Sequence, residues 1–200
     1  MRQSLLASFL LLLSTFFVGC PASDSRESLV ATFDIAGGEV STTFPGDWYE
    51  NPKTNPYDIH YFSSGQKMVT GLMIYDARNI ASSSSAADYL NFHIDDLRSK
   101  RESFEVYEKQ RTITTPHSRI TRVVYSGERD MSKYYYPISL VEFNESDSCF
   151  LVSIQVAIPS RWEGDKLVLE DITKTIEFHP KHDADTAGDN LHSPGEPNKD

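Results

Sequence analysis

The sequence is poor in cysteine and in positive charge. Only two cysteines occur among 200 residues, so a disulfide network cannot hold the fold together. Lysine and arginine number 19 against 29 acidic residues, which gives a net charge of −10 at pH 7. Such a chain repels phosphate backbones, and it has no basic stripe with interleaved aromatic residues. Nucleic acid is therefore not expected as a partner.

Motifs of common enzyme classes are also missing. The sequence has no Gly-x-Ser-x-Gly, no His-Glu-x-x-His, no glycine-rich phosphate loop and no Cys and His at catalytic spacing. His93 with Asp95 and Asp96 is a candidate acid-base group. Residues two and three positions apart on a helix do not pair as i, i+4 neighbours do, so a helix flank is the simpler interpretation. We predict a protein that is not an enzyme and needs no cofactor.

The longest apolar run lies at the N-terminus, where Arg2 precedes residues 5–18 and the run ends at Gly19 and Cys20. A bilayer-spanning helix needs roughly 20 apolar residues, so this run is too short to cross comfortably. The segment resembles the signal peptide and lipobox of bacterial lipoproteins, with Phe17 where Leu, Val or Ile is usual. The resemblance implies cleavage between Gly19 and Cys20 and lipidation of Cys20. A plain secretory peptide and an uncleaved anchor are the alternatives.

This resemblance implies a lipid-anchored protein of the cell envelope that faces the periplasm. The residue after Cys20 is not Asp, which in the sorting pattern of Gram-negative lipoproteins implies the outer rather than the inner membrane. The expected organisation is a signal peptide over 1–19, a tether over 20–28, one domain over 29–178 and a disordered acidic tail over 179–200. Expected partners are the membrane, through the lipid, and an unidentified envelope protein.

Residue alternation and turn signals predict a chain rich in strands. We expect strands at 29–35, 40–44, 57–62, 68–75, 104–115, 118–127, 134–144 and 149–158. Apolar residues on both faces of 68–75 predict a central strand. In 104–115 and 118–127 polar residues alternate with apolar ones, which predicts that one face of each strand is exposed to solvent. A capping box at Ser85 and Asp88 begins a helix to about Arg101, and Ser160 with Glu163 predicts the cap of a second helix.

These elements predict an α+β fold, an antiparallel sheet of about six to eight strands with helices packed against it. Three features carry a family resemblance: the turn 44–48, Tyr89 with Leu90 in the first helix, and a valine-rich strand leading through Pro159 to Phe178. With these the chain resembles the Mog1/PsbP-like fold, an α/β/α sandwich that DcrB-type bacterial lipoproteins share. The resemblance covers roughly residues 39–178. Catalysis is not a common property of this fold, and no site motif carries over.

The C-terminal tail holds the one candidate metal cluster of the sequence. His179, His182, Asp183 and Asp185 supply two imidazoles and two carboxylates, which suit zinc or copper. Metal sites also need ordered surroundings, which a flexible tail does not provide. We therefore predict no specific metal and keep these four residues as candidates.

Aromatic residues supply the candidate interaction surface. Trp48, Tyr134 and Tyr136 are the candidates, because exposed Trp and Tyr favour protein interfaces. Strand alternation sends Tyr135 to the face opposite its two neighbours, and core packing is the competing explanation for most of these rings. Cys149 precedes an apolar strand and is expected to be a structural, buried thiol.

The leading functional hypothesis is a non-catalytic cell-envelope lipoprotein that acts as a membrane-tethered module for protein interaction or stabilisation. The alternative is a lipoprotein that binds a small ligand or a metal through an aromatic pocket or the histidine-bearing tail. A third hypothesis, an envelope hydrolase, predicts a concave pocket with a perturbed acid or base.

Overall fold

The computed structural model describes residues 27–51, 57–76 and 78–181. The signal segment, Cys20 and most of the tail lie outside these residues. The ten strands are β1 (Leu29–Ile35), β2 (Gly38–Phe44), β3 (Trp48–Glu50), β4 (Ile59–Ser63), β5 (Met68–Tyr75), β6 (Glu102–Thr114), β7 (Ser118–Arg129), β8 (Ser132–Phe143), β9 (Phe150–Ala157) and β10 (Glu177–Pro180). The α-helices within these residues are α1 (Ala86–Ser99) and α2 (Trp162–Lys174).

The strands form two antiparallel sheets. A seven-stranded sheet has the order β3-β4-β5-β9-β8-β7-β6, and a three-stranded sheet has the order β1-β2-β10. Helix α1 packs on one face of the large sheet, while α2 and the small sheet cover the other face. The predicted α+β class is confirmed. Within the described residues no helix is both long and apolar enough to span a membrane.

Helix α1 begins where the sequence predicts. The Ser85 hydroxyl accepts a hydrogen bond from the Asp88 N–H, and the Asp88 carboxylate accepts one from the Ser85 N–H, which confirms the capping box. The apolar stripe of the helix, with Leu90, Ile94 and Leu97, is buried against the large sheet. Because a capping box satisfies two N–H groups that the helix leaves unpaired, the start of α1 is fixed by local chemistry.

Helix α2 begins differently from the prediction. Pro159–Arg161 forms a short 3₁₀ turn, and Arg161 occupies the N-cap position of α2 without a side-chain hydrogen bond. The predicted cap at Ser160 is therefore wrong. Leu169 and Ile172 are buried beneath the helix, as their spacing predicts.

The β5 strand is buried on both faces between β4 and β9, as predicted. The expectation of one wet face on β6 and β7 is wrong for both strands. β7 is inside the sheet and is buried on both faces from Arg122 to Gly127, whereas β6 forms the sheet edge and is exposed along most of its length. Alternation of polar and apolar residues shows which side chains share a face of the strand. Whether that face is buried depends on the layers that pack against the sheet.

The expected end of the domain at Phe178 is also corrected. β10 continues through His179 to Pro180 and pairs with β2, and the Lys181 N–H donates to the Gly37 carbonyl. The strand was missed because its partner lies about 140 residues earlier in the chain, which no local pattern reveals. The remaining tail residues lie outside the described part of the chain.

Candidate functional site

A row of polar side chains crosses the large sheet beneath α2. Arg122 on β7 pairs in register with Ser139 on β8, and Ser139 pairs with Ser153 on β9. All three are buried, and Gln155 lies two residues further along β9 on the same face. Polar groups in a core need partners, so we call Arg122, Ser139, Ser153 and Gln155 the polar row and trace its hydrogen bonds.

Gln155 ties the sheet to α2. Its side-chain amide donates to the Leu169 carbonyl at 2.8 Å and to the Thr173 hydroxyl at 3.1 Å. Its amide oxygen accepts a hydrogen bond from Arg122 Nη1 at 3.0 Å. A single side chain therefore joins two strands and a helix, which fixes where α2 sits on the sheet.

Arg122 is a buried cation without an ion-pair partner among the described residues. It is 2 % exposed, and its Nη1 donates to Gln155 and, at 3.3 Å, to the Ser139 hydroxyl. Burial lowers the pKa of Arg122 to about 10, so the guanidinium remains charged at neutral pH. A buried charge that is held only by neutral oxygens is costly, and such groups concentrate at functional sites.

Arg122 lies at the floor of a cavity between β6 and α2. The cavity has a volume of about 320 Å³ and is lined by Glu108, Arg111, Arg122, Trp162, Lys166, Leu167 and Glu170. We call it the Arg122 cavity. Its volume is within the range of small-ligand pockets.

Most of the other charged side chains around this cavity form ion pairs. Arg111 on β6 pairs with Glu170 on α2, which also receives Lys174 at 2.9 Å. Burial raises the pKa of Glu170, but the hydrogen bonds from Arg111 and Lys174 outweigh it and bring the pKa below its ordinary value. Lys166 pairs with Glu163 at 2.5 Å.

Trp162 forms one wall of the Arg122 cavity. The side chain is 3 % exposed, and its indole Nε1 is buried without a hydrogen-bond acceptor in the described part of the chain. The ring packs against Tyr135 at a centroid distance of 4.8 Å and meets Tyr107 edge-on at 6.2 Å. A buried indole N–H normally finds an acceptor, so this donor is an unsatisfied group in a residue that lines the cavity.

A second groove lies on the opposite face, beside α1, and contains the predicted acid-base candidates. Its volume is about 470 Å³, and its lining includes Asp58, Tyr75, His93 and Asp96. The His93 Nε2 atom is 2.6 Å from the Tyr75 hydroxyl. Burial lowers the pKa of His93 and raises that of Asp58.

The carboxylates near His93 do not orient it. Asp95 pairs with Arg98, and Asp96 pairs with Lys100 at 2.7 Å. Among the described residues that line this groove there is no serine, threonine or cysteine. The groove therefore has a perturbed histidine, as the hydrolase hypothesis requires, but among the described residues no carboxylate is hydrogen-bonded to it, and its one hydrogen-bond partner there is the Tyr75 hydroxyl.

The aromatic residues proposed for partner contact lie in the core. Trp48 and Tyr136 are buried, and Tyr134 is half-buried beside Tyr136. Trp48 packs against Phe44 at 5.4 Å, and the Tyr136 hydroxyl accepts a hydrogen bond from Arg101 at 2.9 Å. These rings stabilise the two core layers, and a partner would find little of Trp48 or Tyr136 at the surface.

The candidate metal ligands are not brought together in the described part of the chain. His179 lies on β10, where its Nε2 is 2.7 Å from the Ser41 hydroxyl. His182, Asp183 and Asp185 lie outside the described residues, as do Gly19 and Cys20. No group of three or more His, Cys, Asp or Glu side chains is positioned for a metal ion within residues 27–51, 57–76 and 78–181.

Sequence reasoning missed Arg122, although a signal was present. Ile120 and Val124 flank it at two-residue spacing, and both are fully or nearly fully buried. Strand alternation places the three side chains on one face, so an arginine there was predictable as a buried charge. Because one face of β7 was expected to be exposed to solvent, the buried charge of Arg122 was not predicted.

Comparisons with known proteins identify the fold. No protein-family model matches the sequence, and no curated protein matches it. The solution structure of cyanobacterial PsbP (CyanoP) from Synechocystis sp. PCC 6803 is 9 % identical, with a TM-score of 0.56 over 82 % of this chain and 99 % of that chain. The chain has a Mog1/PsbP-like fold.

Two further solved structures share this Mog1/PsbP-like fold. LpqN, involved in cell envelope biogenesis of Mycobacterium tuberculosis, is 11 % identical and aligns with a TM-score of 0.54 over 77 % of this chain and 92 % of LpqN. A point mutant of the protein Mog1 is 11 % identical, with a TM-score of 0.51 over 76 % of this chain and 97 % of that chain. At such low identity the likeness establishes architecture, and function must be argued from the residues.

Proposed function

We propose that the chain is a non-catalytic lipoprotein of the cell envelope, tethered through lipid on Cys20, which binds a protein partner at the periplasmic side of the outer membrane. The N-terminal segment that ends at Gly19 and Cys20 supports the tether. The structural likeness to LpqN, an envelope protein, supports the location. The missing catalytic motifs support a role without catalysis, as does His93, which is hydrogen-bonded to Tyr75 and to no carboxylate in the described part of the chain.

The exposed edge strand β6 carries the proposal. β6 is 13 residues long and ends the seven-stranded sheet, with β7 as its one strand partner among the described residues. At about 3.4 Å per residue it offers about 44 Å of edge. Such an edge presents backbone N–H and C=O groups to which a further strand can add.

The side chains of β6 are consistent with a strand-adding partner. Val106 is 53 % exposed, and Tyr107 and the nearby Leu167 on α2 are also exposed. Val106 and Tyr107 point to opposite sides of the strand, so apolar surface flanks the edge on both sides. Register shifts interrupt the regular pairing of β6 with β7 between Glu102 and Glu105 and again between Val106 and Arg111. We propose that an extended segment of an envelope protein adds to this strand, which we call the β6 edge.

Affinity capture with matched variants tests the β6 edge. Val106→Lys places a charge on the proposed contact surface, while Val30→Lys places the same charge on β1, where Val30 is 58 % exposed. From detergent-solubilised envelopes, Val106→Lys should recover the partner at least tenfold less than the unmodified protein, and Val30→Lys should recover it equally. Equal recovery by both variants would contradict the proposal.

The anchor is tested separately. Cys20→Ser should abolish labelling by radioactive palmitate and either release the protein from membranes or leave its precursor uncut. Density-gradient separation of the two membranes tests the outer-membrane assignment. Unchanged lipid labelling of the Cys20→Ser protein would overturn the lipoprotein proposal without affecting the proposal for the β6 edge.

A further inference from the structure

The hydrogen bonds of Arg122 leave most of its donors unused. A guanidinium carries five N–H donors, on Nε, Nη1 and Nη2. Within the described residues the bonds of Arg122 run from Nη1, to Ser139 and Gln155. Nε and Nη2, which form the fork that binds planar anions, make no hydrogen bond to any described residue, although Arg122 is 2 % exposed.

An apolar residue would fill this position at lower energetic cost. Replacing buried ion pairs by well-packed apolar side chains is often neutral or stabilising, and a buried cation without its counter-ion is less favourable still. Gln155 joins β9 to α2 through its own amide, so this link does not require a cation at position 122. An anion that enters the cavity would account for the buried charge.

Trp162 provides an independent observation at the same place. It lines the Arg122 cavity and has a buried Nε1 donor without an acceptor in the described part of the chain. An indole N–H can only donate, so its partner must be an acceptor. Nε and Nη2 of Arg122 and Nε1 of Trp162 therefore each lack an acceptor among the described residues.

The charges around the cavity indicate which acceptor fits. The lining has three cationic side chains, Arg111, Arg122 and Lys166, and two carboxylates, Glu108 and Glu170. The lining thus carries one excess positive charge, which a single carboxylate balances. A dianionic phosphate would face repulsion from Glu108 and Glu170.

We propose that the Arg122 cavity binds a carboxylate group through the free fork of Arg122, beside the indole of Trp162. The carboxylate belongs either to a small free acid or to an Asp or Glu side chain of a polypeptide. The cavity volume of about 320 Å³ accommodates either source. This site is separate from the β6 edge and does not depend on a strand adding there.

The two tryptophans provide a direct readout. Trp162 lines this cavity, and Trp48, the other tryptophan of the sequence, is not among its lining residues. The mature protein, labelled with ¹⁵N-tryptophan in detergent micelles, gives one indole N–H resonance from each, and Trp48→Phe assigns them. Sodium acetate at constant ionic strength should shift the Trp162 resonance along a saturating curve and leave that of Trp48 unchanged. Inorganic phosphate should bind at least tenfold more weakly.

Matched arginine variants decide whether Arg122 is responsible. Arg122→Lys keeps the charge but removes the planar fork, and acetate should bind at least tenfold more weakly. Arg119→Lys on the same strand is the control, because Arg119 is exposed and pairs with Glu142 outside this cavity, and its acetate affinity should be unchanged. If Arg122→Lys does not fold, Lys166→Met at the cavity rim should weaken acetate binding two- to threefold.

Two capped peptides identify the source of the carboxylate. One has a central Glu and the other has Gln in its place. Tighter binding of the Glu peptide than of acetate assigns the site to a polypeptide side chain, and weaker binding assigns it to a free acid. The proposal is overturned by an acetate response at Trp162 that does not saturate, by equal affinity in Arg122→Lys, or by binding of phosphate as tightly as acetate.

Discussion

The bond between Arg122 and Gln155 predicts a specific energetic coupling. Gln155→Met removes a fully buried amide while keeping its volume close to the original. The substitution deletes three hydrogen bonds, one from Arg122 and two to α2. Thr173 still donates to the Leu169 carbonyl at 2.9 Å, so that oxygen keeps a partner.

The magnitude follows from the kinds of bond that are lost. A hydrogen bond to a charged group contributes about 1.5–3 kcal/mol, and each neutral bond contributes about 1 kcal/mol. Gln155→Met should therefore lower the free energy of unfolding by about 4 kcal/mol. In an Arg122→Met background the charged bond is already gone, and the same substitution should cost about 2 kcal/mol. The coupling between the two sites is then about 2 kcal/mol.

Urea unfolding of the four proteins of this cycle measures the coupling. The slope of unfolding free energy against urea should stay unchanged, which shows that the compactness of both states is preserved. Gln155→Met combined with Ser85→Ala, on the other side of the large sheet, is the control and should be additive. Additivity of Arg122→Met and Gln155→Met within about 0.5 kcal/mol would refute the reasoning, because independent sites add to that accuracy.

Three further predictions concern helix caps, an ion pair and the thiol. Ser85→Ala should cost about 1 kcal/mol of unfolding free energy in urea, while Ser160→Ala should change it by less than about 0.5 kcal/mol, because only Ser85 caps a helix. The hydrogen bond from the Arg78 side chain lowers the pKa of the buried Asp76 from 3.8 to about 2, so its contribution is complete above pH 4 and lost as the pH falls to 2. Asp76→Asn should thus lower stability by about 1–2 kcal/mol at pH 7, after allowance for the exposed Arg78, with a difference that vanishes near pH 2; a constant difference would contradict this assignment. Burial raises the pKa of Cys149 to about 12, so Ellman's reagent at pH 8 should react with it only after unfolding, and rapid reaction in the folded protein would contradict its burial.

Local chemistry explains the parts of the fold that the sequence predicted well. The capping box at Ser85 and the two-sided apolar pattern of β5 each depend on residues a few positions apart. The turn between β1 and β2 is equally local, since Gly37 adopts a φ of 84°, a conformation that glycine takes without strain. Such features can be recognised before any long-range contact is known.

The errors arose where distant parts of the chain decide the outcome. β10 exists because β2 offers it an edge, and the 3₁₀ turn before α2 takes the place of the cap expected at Ser160. The Arg122 cavity needs β6, β7 and α2 to come together, so only its buried arginine could have been inferred from the sequence. Layer contacts of this kind are not encoded in local periodicity.

Site-specific photo-crosslinking in living cells tests the proposed protein contact most directly. A photoreactive phenylalanine analogue at position 106 lies on the β6 edge, and the same group at position 30 lies on the equally exposed β1. Position 106 is predicted to form a discrete adduct with one envelope protein, whereas position 30 is predicted to form none. The absence of an adduct from position 106, or the same adduct from both positions, would contradict the proposal that the β6 edge binds a partner.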